Sequence, residues 1–463
     1  VIELDRILRD AIQPGTLLVI SGHPGSGKTT LASTICYANA LQGRKCLYIS
    51  FQESKEKLYV NMARLGLNLE EIEKKGLLNH LKLPLVVKPE STSEILEIIS
   101  KEVAKVSPQV VVVDSITPLL KAVEKDLEAR AILQNFFAEL PRLINGLVVL
   151  IAEIPSGREA VDLGDLEFVA DVIVSLKHRV ESGLLSRYVE IVKARGASLS
   201  VVELPFSIVE GRGIVVLEPI VIEEIPAMGA ESIALPCSVL NDLIGPVRRG
   251  GVIYITYPPD ARPVLILVYI LAMALKNDAR VLFISYKVSP EDIKMSTESW
   301  LVKLGVDRES ARELLNKYFI VKSINPTSVS LPQLSLLELK IVDEHRPDIV
   351  VFHGVDIPAA LERDVHSWMS GLLNQLLYLK KKGLVVIRMG SLDDKFNYNA
   401  SLADIVVKFT TREVEVSGKK HVEYEVYVWR RGAAKPGILK EELLEKCLEE
   451  GSRIFHENLT SRA

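Results

Sequence analysis

Leu17-Leu-Val-Ile-Ser-Gly22-His-Pro-Gly-Ser-Gly27-Lys28-Thr29-Thr30 is the stretch on which the fold turns. Four apolar residues, Leu17 to Ile20, run into the spacing Gly-x4-Gly-Lys-Thr, and a helical pattern follows over Ala32 to Leu41. Strand, glycine-rich turn and helix in that order make a P-loop. Its glycines let successive backbone N–H groups turn inward around phosphate oxygens, Lys28 adds a point charge, and the Thr29 hydroxyl reaches a metal ion. The expected cradle is Gly22, His23, Pro24, Gly25, Ser26, Gly27, Lys28, Thr29 and Thr30, and the expected ligand is ATP with Mg2+.

A P-loop needs a carboxylate from a neighbouring strand. Val110 to Val113 followed by Asp114-Ser115 supplies one, an apolar strand ending in an acid that holds magnesium together with Thr29. Alone, an aspartate after four valines is as readily a strand end. Beside a P-loop it reads as the metal acid.

The chain also repeats itself. Gly15-Thr-Leu-Leu-Val-Ile-Ser21 recurs as Gly250-Gly-Val-Ile-Tyr-Ile-Thr256, and Leu47-Tyr-Ile-Ser50 as Leu282-Phe-Ile-Ser285, both at a shift of 235 (Gly15 to Gly250). Val110 to Val113 recurs as Ile349 to Phe352, Gly146 to Leu150 as Gly383 to Ile387, and Val169 to Val174 as Leu402 to Val407. The shift stays between 233 (Val169 to Leu402) and 239 (Val110 to Ile349). Each recurring segment is a short Val/Ile/Leu run, as strands buried on both faces of a parallel sheet are. Helical patterns over Ala32 to Leu41, Glu94 to Val106 and Leu127 to Leu143 separate them in the first copy. The expectation is an α/β chain of two tandem domains, each a mostly parallel central sheet flanked by helices. Residues 1–218 form the first, 219–235 a linker with two prolines and one glycine, 236–436 the second, and 437–463 a tail with an amphipathic helix over Leu439 to Phe455.

Composition sets limits on partners. With 463 residues and 48% hydrophobic content, each domain can bury its own core. A formal charge of -4 gives no broad basic field for nucleic acid, although Arg248-Arg249 and Lys380 to Lys382 are local clusters. The longest apolar run, Val264 to Leu275, suits a buried helix rather than a membrane span. The four cysteines, Cys36, Cys46, Cys237 and Cys447, lack metal or redox spacing and read as reduced packing residues of a cytoplasmic protein.

With these features in place, the chain resembles the KaiC-like branch of the RecA superfamily over nearly its whole length. Leu4-Asp5 through Pro14-Gly15, Tyr48-Ile-Ser-Phe-Gln-Glu-Ser54, Leu166-Glu-Phe-Val-Ala-Asp171 and Tyr188-Val-Glu-Ile-Val-Lys193-Ala-Arg195-Gly196 carry the resemblance. It implies that Lys193 and Arg195 project towards the γ-phosphate held by a neighbouring subunit, where positive charge stabilises the transferring phosphoryl group. Such fingers imply a ring or filament, usually a hexamer. The bland alternative is an exposed strand face with ordinary cations.

One departure bears on chemistry. Where the family places two adjacent glutamates, this chain has Gln52 and then Glu53. Glutamine positions water but accepts no proton, so slow turnover is expected, with Glu53 as the residual base. Glu153, at the end of the strand Leu147 to Ile151, is either a sensor of the γ-phosphate region or a strand-end carboxylate.

The second copy has lost the chemistry. Pro263 and Val264 stand at the Lys28 and Thr29 positions, His353 replaces Asp114, and Lys287-Val288 replaces Gln52-Glu53. Arg431, in Trp429-Arg430-Arg431-Gly432, keeps the Arg195 position, either to reach another domain's phosphate site or to pair within its own sheet. The leading expectation is an ATP-dependent regulator or scaffold, a homo-oligomer or the partner of another protein, with one live site. The alternative is a recombination or repair accessory ATPase, for which Arg158 and the loop Ser156 to Gly164 are the DNA-contact region. That loop sets one arginine against Glu159 and Asp162, a poor match to phosphate.

Overall fold

The structure is a computed structural model describing the chain except residues 1–6, 9, 85–89, 156–165, 182–183, 198–201, 212, 217–221, 223, 259–264, 362–364, 393–395, 417–418 and 461–463. It divides into two compact units, Val1–Pro219 and Ile220–Ala463.

The first unit is built on a nine-stranded sheet. Its strands are β1 (Thr16–Gly22), β2 (Cys46–Ser50), β3 (Leu78–Lys82), β4 (Val110–Asp114), β5 (Leu147–Glu153), β6 (Val172–Glu181), β7 (Leu184–Ala194), β8 (Glu203–Val209) and β9 (Gly213–Val216). They lie in the order β3-β2-β4-β5-β1-β6-β7-β8-β9. From β3 to β6 every pairing is parallel, and the last three strands add antiparallel. The parallel part is covered on both faces, which is why its strands read as unbroken apolar runs. Leu18 and Ile20 of β1 pack with Leu31 and Cys36 of the helix Lys28–Ala40. Leu17 and Val19 pack with Ile99 and Phe137 of the helices Glu90–Val106 and Leu127–Leu143.

The second unit repeats this order from β3 through β8, with no counterpart of β9 among the described residues. Its eight-stranded sheet runs β14-β13-β15-β16-β12-β17-β18-β19. These are β12 (Val252–Tyr257), β13 (Val281–Ser285), β14 (Phe319–Ser323), β15 (Ile349–His353), β16 (Val385–Ser391), β17 (Ile405–Val416), β18 (Lys419–Arg430) and β19 (Gly437–Lys440). A two-stranded β10 (Ser232–Ile233) and β11 (Val247–Arg248) stand beside it. The duplication extends to register: Gly22 pairs with Glu153 and Tyr257 with Ser391. Both units are thus α/β with mostly parallel sheets flanked by helices, the tandem RecA-like architecture.

Two expectations are corrected. The tail helix spans Glu441–Thr460, and Leu439 lies instead in β19, paired with Val426. Strand alternation explains this: Leu439 is buried and Ile438 exposed, and the Glu441 carboxylate accepts the Tyr424 N–H where strand becomes helix. Nor are all four cysteines reduced. Cys237 and Cys447 form a disulfide, while Cys36 and Cys46 are free and buried. Cys237 precedes the helix Ser238–Ile244, against which the tail helix packs, and Glu450 accepts from both the N–H and the hydroxyl of Ser238. A contact closed over 210 residues leaves no mark in cysteine spacing. The bond removes the cysteine-based ground for a cytoplasmic protein. Among the described residues no helix is long and apolar enough to cross a membrane.

Candidate functional site

The site forms at the carboxyl ends of β1, β2, β4 and β5, where open parallel sheets receive ligands. β1 delivers the chain to Gly22, at which a Cβ would stand 2.6 Å from both the Leu176 carbonyl oxygen and Ser26 Oγ, so no larger residue fits. Gly27 then caps the helix Lys28–Ala40 at φ 103°, a conformation that costs a glycine nothing. No side chain caps this N-terminus and its first turn holds no acid, so its free N–H groups and positive dipole end are left for an anion.

Lys28 is nearly buried and its Nζ donates to the His23 carbonyl oxygen at 2.9 Å, curling back over the turn. Burial lowers its ammonium below the ordinary lysine value, against the pull of the Glu153 and then the Asp114 carboxylates. A cation held at the expense of its own hydration gains most from a phosphate. Thr29 Oγ1 donates to Asp114 Oδ2 at 2.8 Å, and Tyr48 Oη donates to the same oxygen at 2.7 Å. Four buried valines fix β4 in the sheet centre, so Asp114 emerges at its rim. Burial raises its carboxyl above the usual range, opposed by the hydrogen bonds from Tyr48 and Thr29 and by the Lys28 charge.

This donor set fits a magnesium ion. One carboxylate and one hydroxyl converge, as in sites whose remaining ligands are phosphate and water. Ser26 Oγ, fully buried in the turn, has no hydrogen-bond partner among the described residues, and a phosphate oxygen would satisfy it.

The other expected residues divide into two groups. Gln52 is exposed at the end of β2. Glu53 is half-buried, its Oε1 accepting from Asn61 Nδ2 at 3.2 Å and its carbonyl from Ser50 Oγ at 2.8 Å. Glu153 sits in register with Gly22, its N–H donating to Thr117 Oγ1 at 2.8 Å, and it is the first carboxylate acting on Lys28. Lys193 and Arg195 are tied elsewhere in their own unit. Lys193 Nζ donates to the Glu167 and Phe168 carbonyl oxygens at 2.8 and 3.2 Å; Arg195 donates to the Phe168 carbonyl and lies 3.7 Å from Asp171 Oδ1. Neither is hydrogen bonded to a P-loop residue among the described residues. The loop of residues 156–164, the DNA-contact region of the alternative reading, lies outside the described residues, as does most of the second copy's degenerate turn, residues 259–264.

In the second unit the matching positions hold different groups. His353 Nδ1 lies 3.1 Å from Ser285 Oγ, and Lys287 Nζ lies 4.0 Å from Asp356 Oδ1. Asp356 Oδ1 accepts the Ser391 N–H at 3.0 Å, the counterpart of Thr117 accepting from Glu153. Arg431 repeats the Arg195 arrangement, donating to the Ser401 and Ala403 carbonyl oxygens at 3.0 and 3.3 Å and lying 3.6 Å from Asp404. Asp171 and Asp404 in turn each accept a β-strand N–H, from Leu17 and Val252, at 2.9 Å.

Sequence reasoning missed Tyr48. The signal was a phenol in a fully buried strand, where a hydroxyl requires a partner.

Fold and site together are those of a RecA-like P-loop domain. Residues 1–220 match the family model described as ATPase: KaiC. The circadian clock protein KaiC2 of Synechocystis sp. is 24% identical over 312 residues, 65% of this chain and 54% of that protein. KaiC3 of the same organism is 22% identical over 358 residues, 75% of this chain and 69% of that protein. The circadian clock oscillator protein KaiC of Thermostichus vulcanus is 25% identical over 196 residues, 42% of this chain and 37% of that protein. The chain therefore spans about half the length of KaiC2 and just over a third of KaiC. Residues 1–220 thus resemble the KaiC-like P-loop ATPases of the RecA superfamily.

Proposed function

We propose that the first unit is a slow Mg2+-dependent ATPase and that its nucleotide state controls contacts made by the second unit and the tail, making the protein a nucleotide-dependent regulator or scaffold. The observation that carries this is the convergence of Lys28, Thr29 and Asp114 at the mouth of an uncapped helix N-terminus. Gly22 to Thr30 would cradle the phosphates, Lys28 would balance their charge, and Thr29 with Asp114 would hold the metal. When bound, magnesium would neutralise charge developing on the phosphate oxygens. Gln52 would orient water without taking its proton, and Glu53, restrained by Asn61, would be the residual base.

The same reading makes 1–218 the ATP-binding domain, 219–235 the linker, 236–436 a pseudo-ATPase domain and 437–463 a tail. Lys193 and Arg195 would act on a neighbour's phosphate after leaving the Glu167 and Phe168 carbonyls, so the working form would be a homo-oligomer, a hexamer by the family's habit. No observation among the described residues favours the DNA-repair alternative. The test is turnover measured beside native mass in ATP and in ADP, for wild type and Lys28→Ala. The proposal expects slow turnover and a mass that depends on nucleotide in wild type alone. A mass and turnover unchanged by Lys28→Ala would end it.

A further inference from the structure

We infer that Tyr48 is a positioning residue for the metal-binding carboxylate: its buried hydroxyl fixes which oxygen of Asp114 faces the metal. The inference rests on the Mg-ATP reading of the P-loop.

Tyr48 is 1% exposed in the middle of β2 and its hydroxyl donates to Asp114 Oδ2 at 2.7 Å. Thr29 Oγ1 donates to that same oxygen from the other side of the site, on the P-loop helix. Among the described residues no hydrogen bond reaches Oδ1. A carboxylate turns easily about its last torsion, which is broad rather than staggered. Two donors from two different elements remove that freedom and leave Oδ1 as the oxygen presented outward. The two are not equivalent once ligand arrives, because Thr29 must then also offer its oxygen to the metal. Tyr48 has no such second duty, and it remains the fixed donor throughout.

The phenol is itself held. The His80 ring stacks on it with centroids 5.9 Å apart and planes 10° from parallel, and Tyr59 meets His80 edge-on at 6.2 Å. Burial lowers the His80 imidazole below its ordinary value, favouring the neutral ring against Tyr48.

The second unit supplies an internal comparison. Where His353 has replaced Asp114, Phe283 has replaced Tyr48 and Val268 has replaced Ser33, whose buried side chain adjoins the Tyr48 hydroxyl in the first unit. Phe283 and His353 meet ring to ring at 5.4 Å. The strand kept its aromatic residue and its burial, and lost the hydroxyl together with the carboxylate it served. A phenol needed only to fill the core would show no such pairing.

Residues that hold a metal ligand in place typically carry about 10- to 100-fold of metal affinity. The test is the Mg2+ concentration at half-maximal binding of a fluorescent non-hydrolysable ATP analogue, for wild type, Tyr48→Phe, Asp114→Asn and the double variant. Analogue affinity and melting temperature in EDTA are measured alongside. Tyr48→Phe should raise the Mg2+ midpoint about tenfold, leave the EDTA affinity within twofold, and add nothing in the Asp114→Asn background. An unchanged midpoint, or a tenfold effect persisting without Asp114, overturns the inference while leaving the P-loop reading intact. Loss of affinity in EDTA by the same factor as in Mg2+ overturns it too, since a general packing defect would do that. Failure of wild type to bind the analogue at any Mg2+ concentration defeats the P-loop reading and this one with it.

Discussion

Asp114 receives the Thr29 hydroxyl at 2.8 Å, joining the end of a central strand to the first turn of the P-loop helix. These residues lie 85 positions apart and meet only because β1 and β4 end at the same rim. The contact ties the phosphate-binding element to the acid that would hold the metal. Asp114→Asn keeps the shape and removes the charge, so Mg-ATP affinity should fall about 10- to 100-fold, with metal-free ATP affinity little altered. Calorimetric titration with and without EDTA checks this; equal losses in both would show that Asp114 serves the fold and not the metal.

Turnover should respond in opposite directions at two adjacent residues. Gln52→Glu supplies a proton acceptor at an exposed strand-end position and should raise the ATPase rate about a hundredfold. Glu53→Gln should lower the residual rate of the native sequence several-fold. Steady-state phosphate release measures both, and a Glu53→Gln rate equal to wild type would remove Glu53 as the base.

Glu338 makes the second unit's stability depend on pH. It is fully enclosed, accepts from Tyr286 Oη at 2.6 Å and from Gln375 Nε2, and burial pushes its carboxyl up to about 7 from 4.5. A carboxyl raised in the folded state stabilises fully below its unfolded value, and that contribution is lost as pH rises through the folded one. Two and a half units amount to about 3 kcal/mol, an order-of-magnitude figure. Relative to wild type, Glu338→Gln should therefore gain stability by roughly that amount between pH 4.5 and 7. Denaturant melts at both pH values test it, and a difference independent of pH would show the carboxyl titrating normally.

The Cys237–Cys447 bond pins the tail helix to the start of the second unit. Alkylation under denaturing conditions should label two cysteines without reductant and four with it, read by intact mass. Cys447→Ala should lower the second unit's stability by about 2–4 kcal/mol. Four labels on the unreduced protein, purified without reductant, would refute the bond.

Much of this was legible in the chain. Strands buried on both faces must be apolar throughout, so β1, β2, β4 and β5 stood out as runs, and their recurrence exposed the duplication. The P-loop could be read because phosphate binding constrains consecutive residues. Contacts between distant segments left weaker traces. Nothing near Tyr48 marks Asp114 as its partner, and nothing near Cys237 marks Cys447. The family resemblance implies a finger role for Lys193 and Arg195, while the carbonyls that hold them here belong to Glu167 and Phe168 on another element. Leu439 was drawn into the tail helix because a one-turn apolar pattern and a short strand look alike when the strand has one buried residue.

The central claim is one live nucleotide site in a duplicated chain. Its most direct measurement is the stoichiometry of Mg-ATP-analogue binding per chain, by calorimetry, for wild type and Lys28→Ala. One site in wild type and none in Lys28→Ala is the expected result. Two sites in wild type, or one surviving in Lys28→Ala, would contradict it.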